Sequence, residues 1–346
     1  MLRTFGTLDN RDIREVTLAT PDARAKIIEY GAVVRDLEVR RPDGAMQRVV
    51  LGLNSVEDYV QHAPHFGAIA GRYANRIRAG RFTLDGETHQ LVLNQDGRHH
   101  LHGGGATGFG KRPWTLVHND ATTATLVHVS PDGTNGYPGT VHITCRYALV
   151  GATLRIELWG VTDKATLLNL CHHSYFNLDG GADILDHTLM VRANVMTPID
   201  AELIPDGTLA AVSGTPFDFR TPRKVRLADA AGQRIWYDHN FILRRERTQR
   251  SLAAGLDVAH AATFAGPRSG LKMDVWTTEP ALQVYDGSKL AVPVPGLDGA
   301  RYGANAGLCL EPHHAPDSPN LPHFPSTILR PGELYRQLTE YRFGTA

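Results

Sequence analysis

The sequence predicts an all-β protein, a large sandwich of antiparallel sheets, and three observations predict it. Apolar and polar residues alternate with a period of two along much of the chain, turn dipeptides separate these short runs, and helical periods are scarce. The 34 glycines and 20 prolines are spread along the chain instead of being gathered into a linker. No repeat, low-complexity tract or charge block divides it. Residues 1–346 are therefore expected to form one domain, with sheet edges managed by Pro-rich loops and two tightly fused halves as the alternative.

Taken in order, "SVEDYVQ" is the one short helix candidate, with Ser55 placed to cap it. "FTLDGETHQLVL" sets Asp85-Gly86 between two short runs, a hairpin signal. In "TVHITCRYAL", Val141, Ile143, Cys145, Tyr147 and Leu149 alternate with Thr140, His142, Thr144 and Arg146, which describes a half-buried antiparallel strand. "VGAT" then turns the chain toward a partner carrying Leu154, Ile156 and Leu158. "LKMDVWTTEPALQVYDG" and "STILRPGELYRQLTEYRF" repeat the habit of short strand, turn, short strand.

Lys and Arg number 36 and Asp and Glu 36, for a formal net charge of zero. Nucleic acid and anionic membranes, which are bound through an excess of basic charge, are not the expected partners. A small uncharged ligand suits the balance better. Cys145, Cys171 and Cys309 form no CxxC pair and are odd in number, so no disulfide framework is expected and a reducing compartment fits. "MLRTFGTLDNRD" meets charges before any apolar stretch, and no apolar run approaches the roughly 18 residues of a membrane span. The expected location is the cytoplasm.

Four polar clusters interrupt this background. "GRYANRIRAGRF" holds Arg72, Asn75 and Arg76, either as a solvated turn or as a fork of donors for sugar or carboxylate oxygens. "GRHHLHGGG" brings His99, His100 and His102 to three glycines. Zinc is the obvious thought, yet there is no HExxH and no accompanying thiolate pair, so no metal is expected. The glycines instead let the backbone pass close to a ligand.

"LLNLCHHSYFNLDGG" places His172 and His173 side by side, and in a strand neighbours face opposite ways. One of them at most points into a given pocket, leaving the other packed or solvated. "CLEPHHAPDSPN" ends an apolar run with Glu311. A buried unpaired carboxylate is costly, so taken alone Glu311 is expected at a strand end on the surface, with Pro312 bending the chain away. Asp238 lies in "YDHNF", read as a short acidic–amide loop.

This inventory of a carboxylate, imidazoles, an aspartate and Arg/Asn donors suits proton transfer on a neutral polyol. There is no G-x-S-x-G elbow, no phosphate-binding G-x-x-x-x-G-K-[ST] loop and no dinucleotide fingerprint, so no organic cofactor is expected.

Together, "FGAIAGRYANRI", "LHGG", "DGTNGYPG", "CHHSYFNL", "YDHNF" and "CLEPHHAPDSPN…FPSTILRPGE" resemble the aldose 1-epimerases, also called galactose mutarotases. The matches run in the family's order from about Phe66 to Glu333. The resemblance implies the galactose mutarotase-like supersandwich and the interconversion of α and β anomers of a free aldose such as galactose or glucose, without metal or cofactor. It puts the catalytic base on Glu311, the acid on His173 and a second active-site imidazole on His102. Sugar-hydroxyl ligands fall on Asn75, Arg76, Asp238 and Gln283, and Tyr175 lines the pocket. The chain departs from the family's pattern at Cys171-His172, at Pro312-His313, and at Asp286 and Ser288, positions that bear on sugar preference.

The chemistry fits these roles. Opening a pyranose removes the proton of the C1 hydroxyl while the ring oxygen receives one. A carboxylate of pKa about 4.3 is ready to accept, and an imidazole of about 6.5 is held as the acid if nearby Glu311 and Asp238 raise its pKa.

Three rivals stand beside this reading. A glycoside hydrolase using Asp238 and Glu311 leaves His102 and His173 without a role. A non-catalytic sugar-binding module predicts binding without turnover. A phosphosugar 1-epimerase needs more cations, for which Arg72, Arg78 and Arg81 are the candidates. A monomer and a homodimer are equally compatible with the sequence.

Overall fold

Burial follows the alternation. Val141, Ile143, Cys145 and Tyr147 are buried while His142, Thr144 and Arg146 are not, and the run forms the strand Val141–Val150. Gly151, with φ 56°, turns the chain into its antiparallel partner Thr153–Thr162. The computed structural model describes residues 1–246, 248–251 and 255–346.

That hairpin lies inside a 10-stranded antiparallel sheet. Thr115–Asn119, Thr123–Ser130, Val141–Val150 and Thr153–Thr162 are followed across the sheet by the last strand of the chain, Tyr335–Thr345. Leu271–Thr277, Leu256–Ala265, Thr188–Val191 and Arg223–Lys224 continue it, with Thr248–Ser251 paired to Leu256–Ala265. The strand Tyr335–Thr345 thus joins the middle of the sequence to its later third.

A 6-stranded sheet runs Tyr175–Phe176, Leu308–His313, Ala281–Tyr285, Asp238–Leu243, Ala193–Thr197 and Ala210–Ala211. Its Phe241, Leu282, Val284, Leu308 and Leu310 share one buried cluster with Ile156, Leu158, Val275 and Tyr341 of the larger sheet. Burial of such side chains contributes about 1.5–3 kcal/mol each. On the opposite face, Asn240, Gln283 and Glu311 form a row across three neighbouring strands. A 5-stranded sheet made from residues 2–48 supplies Ile27, Val34 and Leu37 to the same core.

The helix Val56–His62 forms where expected, with the Ser55 hydroxyl accepting from the Asp58 amide at 3.1 Å. The Asp85-Gly86 hairpin joins Arg81–Leu84 to Glu87–Gln90. The later segments differ from simple hairpins. Leu271–Thr277 and Ala281–Tyr285 both form, but in different sheets, with Pro280 between them. Ile328–Leu329 pairs with Thr166–Leu167 instead of with Tyr335–Thr345. Cys145, Cys171 and Cys309 are free and buried. Among the described residues no helix is long and apolar enough to cross a membrane.

Candidate active site

Glu311 corrects the expectation of a surface strand end. It is 2% exposed, and the strand continues through Pro312 to His313 without bending away. The reason is register: Leu308 and Leu310 point into the core, so Glu311 takes the other face, beside Gln283 on the next strand. That face is itself covered, which leaves the carboxylate dry.

His173 covers it. The short ladder of Cys171–His172 with Ile69–Ala70 carries the chain past the strand of Glu311. His173 follows, its backbone pinned by its amide donating to the Ala68 carbonyl and by the Gly67 amide donating to its own carbonyl. Its Nε2 lies 3.6 Å from Glu311 Oε1. The two histidines face opposite ways as expected, but His172 is no outward neighbour. It is buried, 2.7 Å from the Ser174 hydroxyl through Nε2, with its ring between Tyr147 and Tyr341.

His102 enters from a third segment. His100–Leu101 pairs with Arg76–Ile77, and the two chains lock at the site: the His102 amide donates to the Asn75 carbonyl, and the Asn75 amide donates to His102 Nδ1 at 3.2 Å. Asn75 (φ 62°) and His102 (φ 49°) are both left-handed, a conformation that costs non-glycine residues about 1–3 kcal/mol and clusters at working sites. Gly103 is required next to them, because a Cβ there would sit 1.7 Å from the Gly71 carbonyl oxygen. The rings of His102 and His173 are 5.2 Å apart.

The remaining candidates converge as a polar wall. Arg76 is buried, with Nε donating to Gln95 Oε1 at 2.8 Å and Nη2 3.8 Å from Asp238 Oδ2. Asn75 contributes its side-chain oxygen to the Arg76 amide and guanidinium. Asp238 opens the strand Asp238–Leu243, so it is a strand residue and not a loop residue, and Gln283 Nε2 donates to it at 2.7 Å. Tyr175 packs its ring 5.2 Å from His173, but its hydroxyl is spent on the Pro64 carbonyl. Among the described residues, Gln283 Oε1 and both amide atoms of Asn240 are buried without a partner. Such orphans are expensive in a finished core and expected where a ligand's hydroxyls complete the bonding.

The electrostatics reverse one expectation. Burial pushes Glu311 up to about 8 and holds His173 down, to about 4, so the neighbouring carboxylates do not hold the imidazole charged in the open pocket. Burial also keeps His102 well below the usual imidazole range, with the other imidazoles and Arg76 adding to the effect. The pair 3.6 Å apart attracts when ionised, but both members are desolvated and neither has a strong neutral partner to offset that.

His102, His173 and Glu311 each bring a donor atom within 4.8 Å of the others, a set with the composition of a divalent-cation site. His102 is turned against that use. Its Nδ1 lone pair accepts the Asn75 amide, so Nε2 of the neutral ring carries the proton and donates, whereas a ligating histidine donates through the ring nitrogen that faces away from the metal. The donor set fits hydroxyl oxygens and not a metal.

The cluster around Arg72 separates in space. Arg72 is 2% exposed, and its guanidinium is consumed by Ser130, Pro131 and Pro138. It is neither a solvated turn residue nor a sugar ligand. Arg78 bonds the Pro205 carbonyl and lies beside Asp200 and Asp317, and Arg81 bonds Gln90 on its own hairpin. The cations nominated for a phosphate are thus engaged elsewhere.

Sequence reasoning passed over His65, whose ring lies 4.7 Å from His102 and 5.7 Å from His173. It also passed over the functional bearing of Cys171 and Cys309, whose sulfurs lie 3.3 Å from Glu311 Oε2 and 3.6 Å from His173 Nδ1. No motif marked His65. Cys171 showed only as a departure from the family's pattern.

The sequence pattern of the family described as Aldose 1-epimerase matches residues 14–342. The galactose mutarotase of Bos taurus is 38% identical over 338 residues, covering 96% of this chain and 95% of that protein. The aldose 1-epimerase of Escherichia coli (strain K12) is 37% identical, covering 92% and 91%. A solved aldose epimerase homologue from C. elegans superposes with a TM-score of 0.88 at 27% identity, covering 96% of this chain and 99% of that one.

Proposed function

This chain belongs to the aldose 1-epimerase family and is an isomerase of that class, and on that premise we propose that Glu311 and His173 are its base and acid, acting on a free aldose. Glu311 takes the proton of the C1 hydroxyl as the C1–O5 bond breaks, and His173 delivers a proton to O5. The open-chain aldehyde turns about C1–C2, and the same two groups run the steps in reverse on the other face. The observation that carries this reading is a buried carboxylate and imidazole 3.6 Å apart, beside a wall of polar groups still short of partners.

The direction of their shifts puts the proton on Glu311 in the open pocket and makes each group stronger in its role once the pair is ionised. Glu311 raised to about 8 is a stronger base than an exposed carboxylate, and His173 lowered to about 4 is a stronger acid when it carries the proton. Between those values the pair holds one proton. The ionised pair and the neutral pair have the same proton count, so pH does not choose between them, and a sugar hydroxyl donating to Glu311 favours the ionised one. Asp238, Arg76, Gln283 and Asn75 hold hydroxyls that do not react, and His102 offers Nε2–H as a fixed neutral donor.

Galactose and glucose are the proposed substrates, since the named relatives are galactose mutarotases and an aldose 1-epimerase, and Arg72, Arg78 and Arg81 are engaged away from any phosphate. Optical rotation of freshly dissolved α-D-galactose and α-D-glucose, with a chelator present, tests the proposal. Acceleration by the native chain that collapses in Glu311→Gln and in His173→Asn is expected. Native turnover retained in either variant removes that residue from its role, and no acceleration of either sugar removes the substrates.

A further inference from the structure

Glu311 is buried, and among the described residues one group donates a hydrogen bond to it: the Cys171 thiol, 3.3 Å from Oε2. The two carboxylate oxygens are therefore divided. Oε2 takes the S–H, and Oε1 faces His173 Nε2. Cys171 is held rigidly, 0% exposed and paired with Ala70 in the ladder that delivers His173. A thiol is a weak donor, and a hydroxyl or amide in its place makes a shorter, charge-assisted bond that stabilises the carboxylate.

We propose that Cys171 is a positioning residue for this reaction: its thiol fixes the rotamer of Glu311 without quenching its basicity, an inference that rests on Glu311 being the base. The thiol is a compromise between two needs. With no donor the carboxylate has one fewer contact to orient it toward the C1 hydroxyl, and with a strong donor it becomes a weaker base.

The charged and titratable groups around Glu311 define what else sets its titration. His173 faces Oε1 and His102 lies within the same 4.8 Å cluster. Asp238 raises its proton affinity and Arg76 lowers it. Cys309, two residues before it on the same strand face, Tyr175 and, from the larger sheet, Tyr341 are neighbours whose own proton affinity its charge raises, and His313 lies two residues beyond it on the strand. All of these stay in place when only residue 171 changes, so a Cys171→Ser and Cys171→Ala series isolates the donor.

The experiment is mutarotation kinetics of the full chain on α-D-galactose against pH, with kcat and KM separated, for the native protein and both variants. In Cys171→Ser the alkaline limb is expected about one pH unit lower, with kcat down roughly threefold, and in Cys171→Ala the limb is expected higher. KM stays within about twofold in both, because the thiol touches no sugar. Limbs that coincide in all three proteins, or that move the same way in both variants, overturn the inference. If neither variant folds, the infrared S–H band of the native protein decides. A shift of one S–H band as the buried carboxyl C=O band titrates away supports the contact, and an S–H region that stays fixed through that titration overturns it. Glu311→Gln separates the two readings: an inactive Glu311→Gln protein with immobile limbs in the Cys171 series sinks only the thiol inference, whereas a fully active one sinks the assignment of the base.

Discussion

Carboxylates are buried in several parts of the molecule, and two of these parts treat them oppositely. At the 5-stranded sheet, Glu29, in the turn after the strand Ala23–Ile28, accepts from the Arg14 guanidinium and from the Arg14 and Leu116 amides, and Asp36 is held by Arg48 and Lys26. These bonds outweigh burial and lower both pKa values. On the covered face of the 6-stranded sheet, Glu311 has one thiol donor and, among the described residues, no guanidinium within bonding distance, and burial raises it to about 8. A paired buried carboxylate holds the fold together, while a buried carboxylate left short of partners is available for chemistry.

The largest effect breaks this comparison or upholds it. Glu311→Gln is expected to lower kcat by about 10³-fold, within the range of general acid–base catalysis, while its thermal stability at pH 7 is no lower than the native protein's. Glu29→Gln is expected to do the reverse, losing about 3 kcal/mol of stability because a neutral amide replaces the ion pair and its NH2 faces one of the Arg14 and Leu116 amides, which bond different carboxylate oxygens. Its turnover per folded molecule stays native. Polarimetry and calorimetry on the two variants make the test. A destabilised Glu311→Gln protein or an inactive Glu29→Gln protein would erase the distinction.

His173→Asn is next, with kcat expected to fall about 10²-fold at nearly constant KM, since the ring oxygen loses its proton donor and not its binding contacts. The native kcat/KM profile is expected to be bell-shaped, falling below pH about 4 and above about 8, where the pair carries two protons or none. A flat profile through pH 8 denies Glu311 its shifted affinity. Asp238→Asn follows in size, with KM expected to rise about tenfold and kcat to fall less, because Asp238 sits against Gln283 and Arg76 at the wall and reaches Glu311 only through its charge.

The same contrast explains what was legible in the sequence. Period-two runs such as Val141–Val150 announce strands because burial alternates locally, but the placing of Tyr335–Thr345 between Thr153–Thr162 and Leu271–Thr277 depends on partners far away in sequence. Glu311 and His173 were legible through motifs. The dryness that makes them useful was not, because it comes from Cys171, Cys309 and His102 closing over the same point from three separate segments. His172 failed as an outward residue for a related reason: a strand covered on both faces has no outside.

The smallest effect is thermodynamic and sharpens the comparison most directly. Glu29 and Asp36 have lowered folded values, so the stability they contribute is present above their unfolded values and is lost as pH falls through the folded ones. Buried neutral His173 and His313, both lowered to about 4, act in the same direction: their contribution is present above about 6.5 and lost as pH falls through about 4. Glu311 has the opposite sign. Raised to about 8, it contributes stability that is fully present below its unfolded value and is lost as pH rises through 8, because ionising it strands a charge beside one thiol. Native stability is therefore expected to peak near pH about 6.5, where the histidine contribution is complete and the Glu311 contribution is still falling. Glu311→Gln should match the native protein at acid pH and become the more stable of the two as pH rises to 8, by a few degrees in Tm. Parallel unfolding curves for the two proteins up to pH 10 would show that Glu311 is as well partnered as Glu29, and the contrast between the two sheets would fail.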